Sequence, residues 1–112
     1  MSAPGPLVVL CTAPSDPSVV ERLSAGLVQE RLAACVNAIP GVSSTYRWEG
    51  RIETASETQL VIKTNTECFD ALCAWLEQHH PYETPEILGL PVTSGSVAYL
   101  SWLEQEVTPT PG

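Results

Sequence analysis

The sequence is poor in basic residues. Its 112 residues include five Lys and Arg against thirteen Asp and Glu, which gives a formal net charge of −8. An acidic surface repels nucleic-acid phosphates and anionic lipid headgroups. We therefore expect neither nucleic acid nor a membrane surface among the partners of this chain.

Long apolar runs and paired cysteines are also missing. No segment reaches the roughly 18 to 20 apolar residues of a membrane span. The run Leu7–Leu10 is too short for a signal-peptide core, and no Lys or Arg precedes it. The four cysteines form no CxxC pair, which favours free thiols. These features predict a cytoplasmic protein.

The length sets the domain organisation. A chain of 112 residues can build one hydrophobic core. We predict a single domain over residues 7–107, with a loose N-terminus at 1–6 and a flexible, proline-containing tail at 108–112.

The central feature is a long predicted β-hairpin from about Ala34 to Thr64. Glu49-Gly50 provides its reversal, and Pro40-Gly41 predicts a kink or bulge in its first strand. The apolar run Leu60–Ile62 is typical of a central strand covered on both faces. One face of the outgoing strand carries four alternate residues, namely Val42, Ser44, Tyr46 and Trp48. The outer end would project beyond the core, so we predict that Tyr46 and Trp48 lie in an oligomer interface rather than forming a ligand platform.

The remaining predicted strands and helices complete a known fold topology. A strand over 7–12 precedes a helix capped by Asp16-Pro17, in which Gly26 suggests close packing on the sheet. After the hairpin come a helix ending at His79-His80, a short strand at Ile87–Leu90 and a final helix capped by Ser94 or Ser96. The order predicts an α+β, ferredoxin-like βαββαβ fold with antiparallel strand order 4-1-3-2 and an extra C-terminal helix.

This topology gathers polar residues at one edge of the sheet. The ends of the first strand and the second helix meet there, which brings together Cys11, His79, His80, Tyr82, Glu83 and Glu86. A thiolate with imidazoles would suit copper best and zinc next. The same residues are also typical of a packed thiol beside a solvated helix end, and both interpretations stay open. Glu49, Glu53 and Glu57 are interpreted as solvated charges.

Catalysis receives less support. Cys11 and His80 could form a nucleophile and base, but no orienting carboxylate or oxyanion-hole pattern accompanies them. No glycine-rich phosphate loop is present either. We therefore predict that the protein is not an enzyme.

Five segments carry a family resemblance: Val9–Pro14, Arg31–Asn37, Tyr46–Gly50, His79–Glu86 and Leu90–Thr93. In their order and spacing, from about Leu7 to Val107, they closely resemble the CutA family of divalent-cation tolerance proteins. The resemblance implies a homotrimer related in architecture to the PII signalling trimers, with a role in tolerance of copper and other divalent metals. It also implies Cys11, His79 and His80 as ligands of copper, or of another divalent cation such as zinc. A PII-like protein that binds a small molecule or a partner between subunits is the alternative.

Overall fold

The computed structural model describes residues 5–108. The strands are β1 (Pro6–Pro14), β2 (Cys35–Trp48), β3 (Arg51–Asn65) and β4 (Leu88–Pro91); the helices are α1 (Pro17–Gln29), α2 (Phe69–His79) and α3 (Val97–Glu106). A 3₁₀ turn over Thr66–Cys68 leads into α2. The sheet is antiparallel with order β2-β3-β1-β4, so the predicted order 4-1-3-2 is confirmed.

Local signals fix the helix starts. The Asp16 carboxylate accepts a hydrogen bond from the Ser18 amide, and Pro17 occupies the first position of α1. Asn65 caps the turn before α2, and Ser96 caps α3. Both ends of β1 differ from the prediction: it begins at Pro6 and continues to Pro14, because β3 pairs with it over that whole length. The other predicted terminal residues, 1–4 and 109–112, lie outside the described part of the chain.

The hairpin has the predicted length and reversal. Glu49 and Gly50 both have positive φ, 49° and 78°, which is the backbone of a type I′ turn between the paired residues Trp48 and Arg51. The register shifts between Ile39 and Val42, where the bulge at Pro40-Gly41 is found. Since β1 pairs with β3 only from Glu57 onward, the outer part of the hairpin has no third strand beside it. We call this outer part, residues 42–56, the arm.

The core lies between one face of the sheet and the helices α1 and α2. It includes alternate residues of β1, which are Leu7, Val9, Cys11 and Ala13. The expectation that Leu60–Ile62 is covered on both faces is wrong for the single chain: Leu60 and Ile62 are buried, whereas Val61 is half-buried. The α3 helix contacts β1 and β3 separately from this core, and Ile39, Leu88 and Leu90 on the opposite face of the sheet are exposed.

Gly26 makes its close contact with another helix. A Cβ atom at this position would overlap the ring of Trp75 in α2. The expected packing of Gly26 on the sheet is therefore wrong, because the flat indole of Trp75 fills the space over α1.

Candidate functional site

Two of the predicted ligands meet at one backbone atom, the carbonyl oxygen of Thr12. His80 Nε2 lies 2.8 Å from this oxygen, and Cys11 Sγ lies 3.8 Å from it. Thr12 follows Cys11 in β1, whereas His80 follows the last residue of α2. Cys11 and His80 therefore lie at the same edge of the sheet, as the predicted order of strands and helices requires.

Both nitrogens of the His80 ring are engaged in hydrogen bonds. The Tyr82 amide donates to Nδ1 at 3.1 Å, so Nε2 carries the proton and donates to Thr12. The side chain is buried, and burial lowers the pKa of His80 below its usual 6.5, against smaller opposing effects of the Thr12 hydrogen bond and the Glu57 charge. His80 is accordingly a neutral ring with no free lone pair in this conformation.

Cys11 is a protected thiol. Its side chain is fully buried in the core, and burial, reinforced by the carboxylates of Glu86 and Glu57, raises its pKa from 9.0 to about 12. The thiol is therefore protonated near neutral pH. Since the Nδ1 lone pair of the neighbouring His80 ring is occupied, His80 cannot act as a base toward Cys11 in this conformation.

His79 points to a different neighbourhood. Its ring stacks on Trp75 with a centroid distance of 4.1 Å, and its Nδ1–H donates to the Trp75 carbonyl at 2.8 Å. This geometry leaves Nε2 as the free lone pair of the neutral ring. The backbone carbonyl of His79 accepts a hydrogen bond from Arg22 in α1. Side chains of adjacent residues in a helix point about 100° apart, and this difference in direction separates the His79 side chain from that of His80 at the end of α2.

The three predicted ligands do not form a preorganised metal centre. Across residues 5–108, no group of three or more His, Cys, Asp or Glu side chains is arranged to hold a metal ion. Cys11 and His80 are brought together, whereas His79 is turned toward Trp75.

Glu57 is the residue that the sequence interpretation missed. The sequence pattern indicates a solvated charge, but Glu57 is only 6% exposed and accepts a hydrogen bond of 2.6 Å from the Tyr82 hydroxyl. Burial and this hydrogen bond raise the pKa of Tyr82. The burial of Glu57 is related to its place in the hairpin. Glu57 follows the arm directly, and it pairs with Pro14 and with Val42 beside the bulge. Bulges re-aim neighbouring side chains.

Glu57 and Tyr82 border a cleft of about 850 Å³ between the arm and the segment that follows α2. Tyr46 and Trp48 reach it from the arm, and Thr12 reaches it from β1. The segment after α2 contributes Tyr82, Glu83 and Glu86. Such a volume falls in the range of small-molecule sites.

Comparison with known proteins decides the family. The model of the CutA1 divalent ion tolerance proteins matches residues 7–106. The chain belongs to the CutA1 family. The divalent-cation tolerance protein CutA of Yersinia pestis is 52% identical over 97 residues, which are 87% of this chain and 81% of the relative.

Solved CutA structures share the fold. The divalent cation tolerance protein of Thermus thermophilus is 42% identical, with a TM-score of 0.89 over 92% of this chain and 99% of its own. The periplasmic divalent cation tolerance protein CutA of Archaeoglobus fulgidus is 34% identical, with a TM-score of 0.88 over 92% and 99% of the two chains. The resemblance and the fold inferred from the sequence are thereby confirmed, and the chain is a divalent-cation tolerance family member.

Proposed function

We propose that this protein is a cytoplasmic homotrimer that contributes to metal tolerance by binding divalent cations, copper above all. The observation that carries the proposal is the meeting of Cys11 and His80 at the Thr12 carbonyl. A sulfur and an imidazole at one point form a donor pair suited to copper and then zinc, and poorly suited to magnesium.

Metal binding at this point requires rearrangement. The thiol must lose its proton, and His80 must exchange one of its two hydrogen bonds for the cation. His79, the third proposed ligand, would have to leave its stack on Trp75. Each step costs free energy, so we expect weaker binding than at a preformed site and a loss of affinity as pH falls.

Copper titration against a competing chelator tests the proposal. High salt removes the diffuse attraction of the acidic surface and leaves direct coordination. We expect Cys11→Ser, His79→Gln and His80→Gln each to weaken copper binding by about tenfold or more, as loss of a ligand does. The order of affinity should be copper, zinc, magnesium.

Cys73→Ser is the matched control, because it removes a half-buried thiol of α2 and leaves Cys11 in place. The control should bind copper like the natural protein. Equal copper affinity in all four variants, with native circular dichroism, would refute the proposed ligand set.

Exposed apolar surface supports the trimer. Tyr46, Trp48 and Ile52 are exposed on the arm, and Leu88 and Leu90 are exposed on β4. In the α3 helix the buried residue is Leu103, which packs with Ala34, Cys68 and Val107. Several large apolar side chains left exposed on one chain are typical of a protein that associates with another copy or a partner.

The cytoplasmic location is supported by the cysteines. All four are free, as is usual in a reducing compartment. No helix in the described part of the chain is long and apolar enough to span a membrane. Because the Archaeoglobus fulgidus relative is described as periplasmic, fractionation of cells is the direct test. Recovery in the periplasmic fraction would contradict the cytoplasmic assignment.

The cleft favours a second candidate function. A PII-like trimer would bind a small molecule or a partner between subunits, and a cleft of about 850 Å³ beside the arm provides the space. A purified protein that ignores copper but retains a bound metabolite would support this candidate over the first.

A further inference from the structure

The cleft beside the arm has a one-sided charge. Glu57, Glu83 and Glu86 line it, and none of the described residues that line it is Lys, Arg or His. The carboxylates of Glu57 and Glu86 also act on Cys11, whose pKa they raise together with burial. The negative potential therefore extends from the mouth of the cleft to the thiol behind it.

Glu57 is a buried carboxylate, and no salt bridge to it is found among residues 5–108. It is 94% buried, and its contact in the cleft is the neutral hydroxyl of Tyr82. The salt bridge found in the described part of the chain joins Arg31 and Glu106, away from this carboxylate. Buried charged groups are usually paired, and a cation bound in the cleft would place an opposite charge beside this carboxylate.

Three aromatic side chains line the same cleft. Tyr46 and Trp48 lie on the arm, and Tyr82 lies on the opposite wall. In a single chain Tyr46 is 45% exposed and Trp48 is 59% exposed. The faces of such rings attract organic cations, and their apolar surface packs on aliphatic stems.

We propose that the cleft binds an organic polycation, an aliphatic polyamine with two or more ammonium groups. One ammonium pairs with Glu57, a second pairs with Glu83 or Glu86, and the methylene stem packs on Tyr46 and Trp48. This inference rests on the small-molecule candidate function and names its ligand class; it does not depend on copper binding.

The volume and charge of the cleft decide against the other ligand classes. A nucleotide or another phosphate ligand would face three carboxylates and no basic partner among the described lining residues. A bare metal ion would fill a small part of about 850 Å³ and would leave the aromatic walls without a ligand. An elongated organic cation pairs with the carboxylates through its ammonium groups and packs on the aromatic rings through its aliphatic stem.

A neighbouring subunit is compatible with this site. Tyr46 and Trp48 line the cleft and are still 45% and 59% exposed, so part of each side chain is available to a neighbouring subunit. In the proposed trimer, a neighbour on the outer side of the arm would support the walls of the cleft. The test therefore uses the protein in the assembly in which it is purified.

Calorimetric titration with spermidine tests the inference, using metal-free protein at about physiological ionic strength, where diffuse attraction is screened. We expect saturable binding with one site per chain. Glu57→Gln keeps an acceptor for the Tyr82 hydroxyl but removes the charge, and it should weaken spermidine binding about tenfold or more, as loss of a buried charge partner does. The double variant Glu83→Gln, Glu86→Gln should weaken binding similarly, and its two positions are exposed, so folding should be unaffected.

Glu21→Gln is the matched control, because it removes one exposed charge from α1, outside the cleft. It should leave the spermidine affinity unchanged. Absence of saturable binding, an equal loss in the Glu21 and Glu57 variants, or displacement of spermidine by magnesium at equal ionic strength would overturn the inference. Because copper is absent throughout, failure here is distinct from failure of copper binding, and a different metabolite retained by the protein would still support the small-molecule function.

Discussion

At the residue scale, the edge of the sheet depends on hydrogen bonds that a sequence does not display. His80 is tied to Thr12 and to the Tyr82 amide, and Tyr82 in turn donates to Glu57. The rings of His80 and Tyr82 lie 4.7 Å apart. Four residues from β1, β3 and the segment after α2 are thereby held in one network, so a change of protonation at His80 must disturb the wall of the cleft.

We predict that stability falls as pH drops below about 6.5. The folded protein holds His80 neutral with a pKa below 6.5, whereas the unfolded chain takes up a proton near that value. The contribution of His80 is therefore complete above 6.5 and is lost as pH falls through the lower pKa of the folded state. Melting temperatures of metal-free protein between about pH 7.5 and 5 measure this loss.

The variants His80→Gln and His79→Gln separate the two rings. The first should have a flatter pH profile over this interval, and the second should retain the natural slope, since its ring lies outside the network of Thr12 and Tyr82. Parallel profiles for the natural protein and His80→Gln would exclude His80 as the source.

At the scale of elements, the contact between α1 and α2 is a glycine against an indole. Gly26 allows the ring of Trp75 to lie on the backbone of α1, and the same ring stacks on His79. The orientation of His79, away from Cys11, thus depends on a helix that precedes it by many residues.

We predict that Gly26→Ala destabilises the protein despite the better helix propensity of alanine. Overpacking costs about 1–3 kcal/mol and the propensity gain returns about 1 kcal/mol, so we expect a net loss of about 1 kcal/mol. Ser24→Ala, in the same helix, is the control: its hydroxyl is buried without a hydrogen-bond partner in the described structure, so its removal should be neutral or stabilising. Urea unfolding measures both, and a stabilised Gly26→Ala variant would contradict the packing argument.

At the scale of the whole molecule, the chain is elongated. Its principal dimensions are 44 × 27 × 26 Å, and the arm extends beyond the strands that would flank it. The sheet buries one face on α1 and α2 and leaves apolar residues on the other. A single copy therefore does not cover its own apolar surface, which is the physical basis of the proposed assembly.

We predict a particle of about three times 12.0 kDa in light scattering. The double variant Tyr46→Ser, Trp48→Ser removes two exposed aromatic side chains of the arm and should release monomer and lower the melting temperature, because unfolding is coupled to dissociation. Val28→Ser is the control, as it removes an exposed apolar side chain from α1. A monomeric natural protein, or a double variant that remains assembled, would place the interface elsewhere.

The sequence by itself determined the elements and their order. Asp16-Pro17, Asn65 and Ser96 act on amides within three residues, and the reversal at Glu49-Gly50 is equally local, so these signals are readable without a fold. Strand order followed because right-handed crossovers leave few alternatives. The same rule was sufficient to bring Cys11 and His80 to one edge.

Only the tertiary structure decided what each side chain does there. Glu57 is buried because the bulged hairpin and the segment after α2 meet over it, and its partner Tyr82 is 25 residues away in sequence. His79 is directed by Trp75, and Trp75 is accommodated by Gly26 of another helix. Side-chain direction and burial depend on contacts between elements, whereas periodicity and capping report on one element at a time.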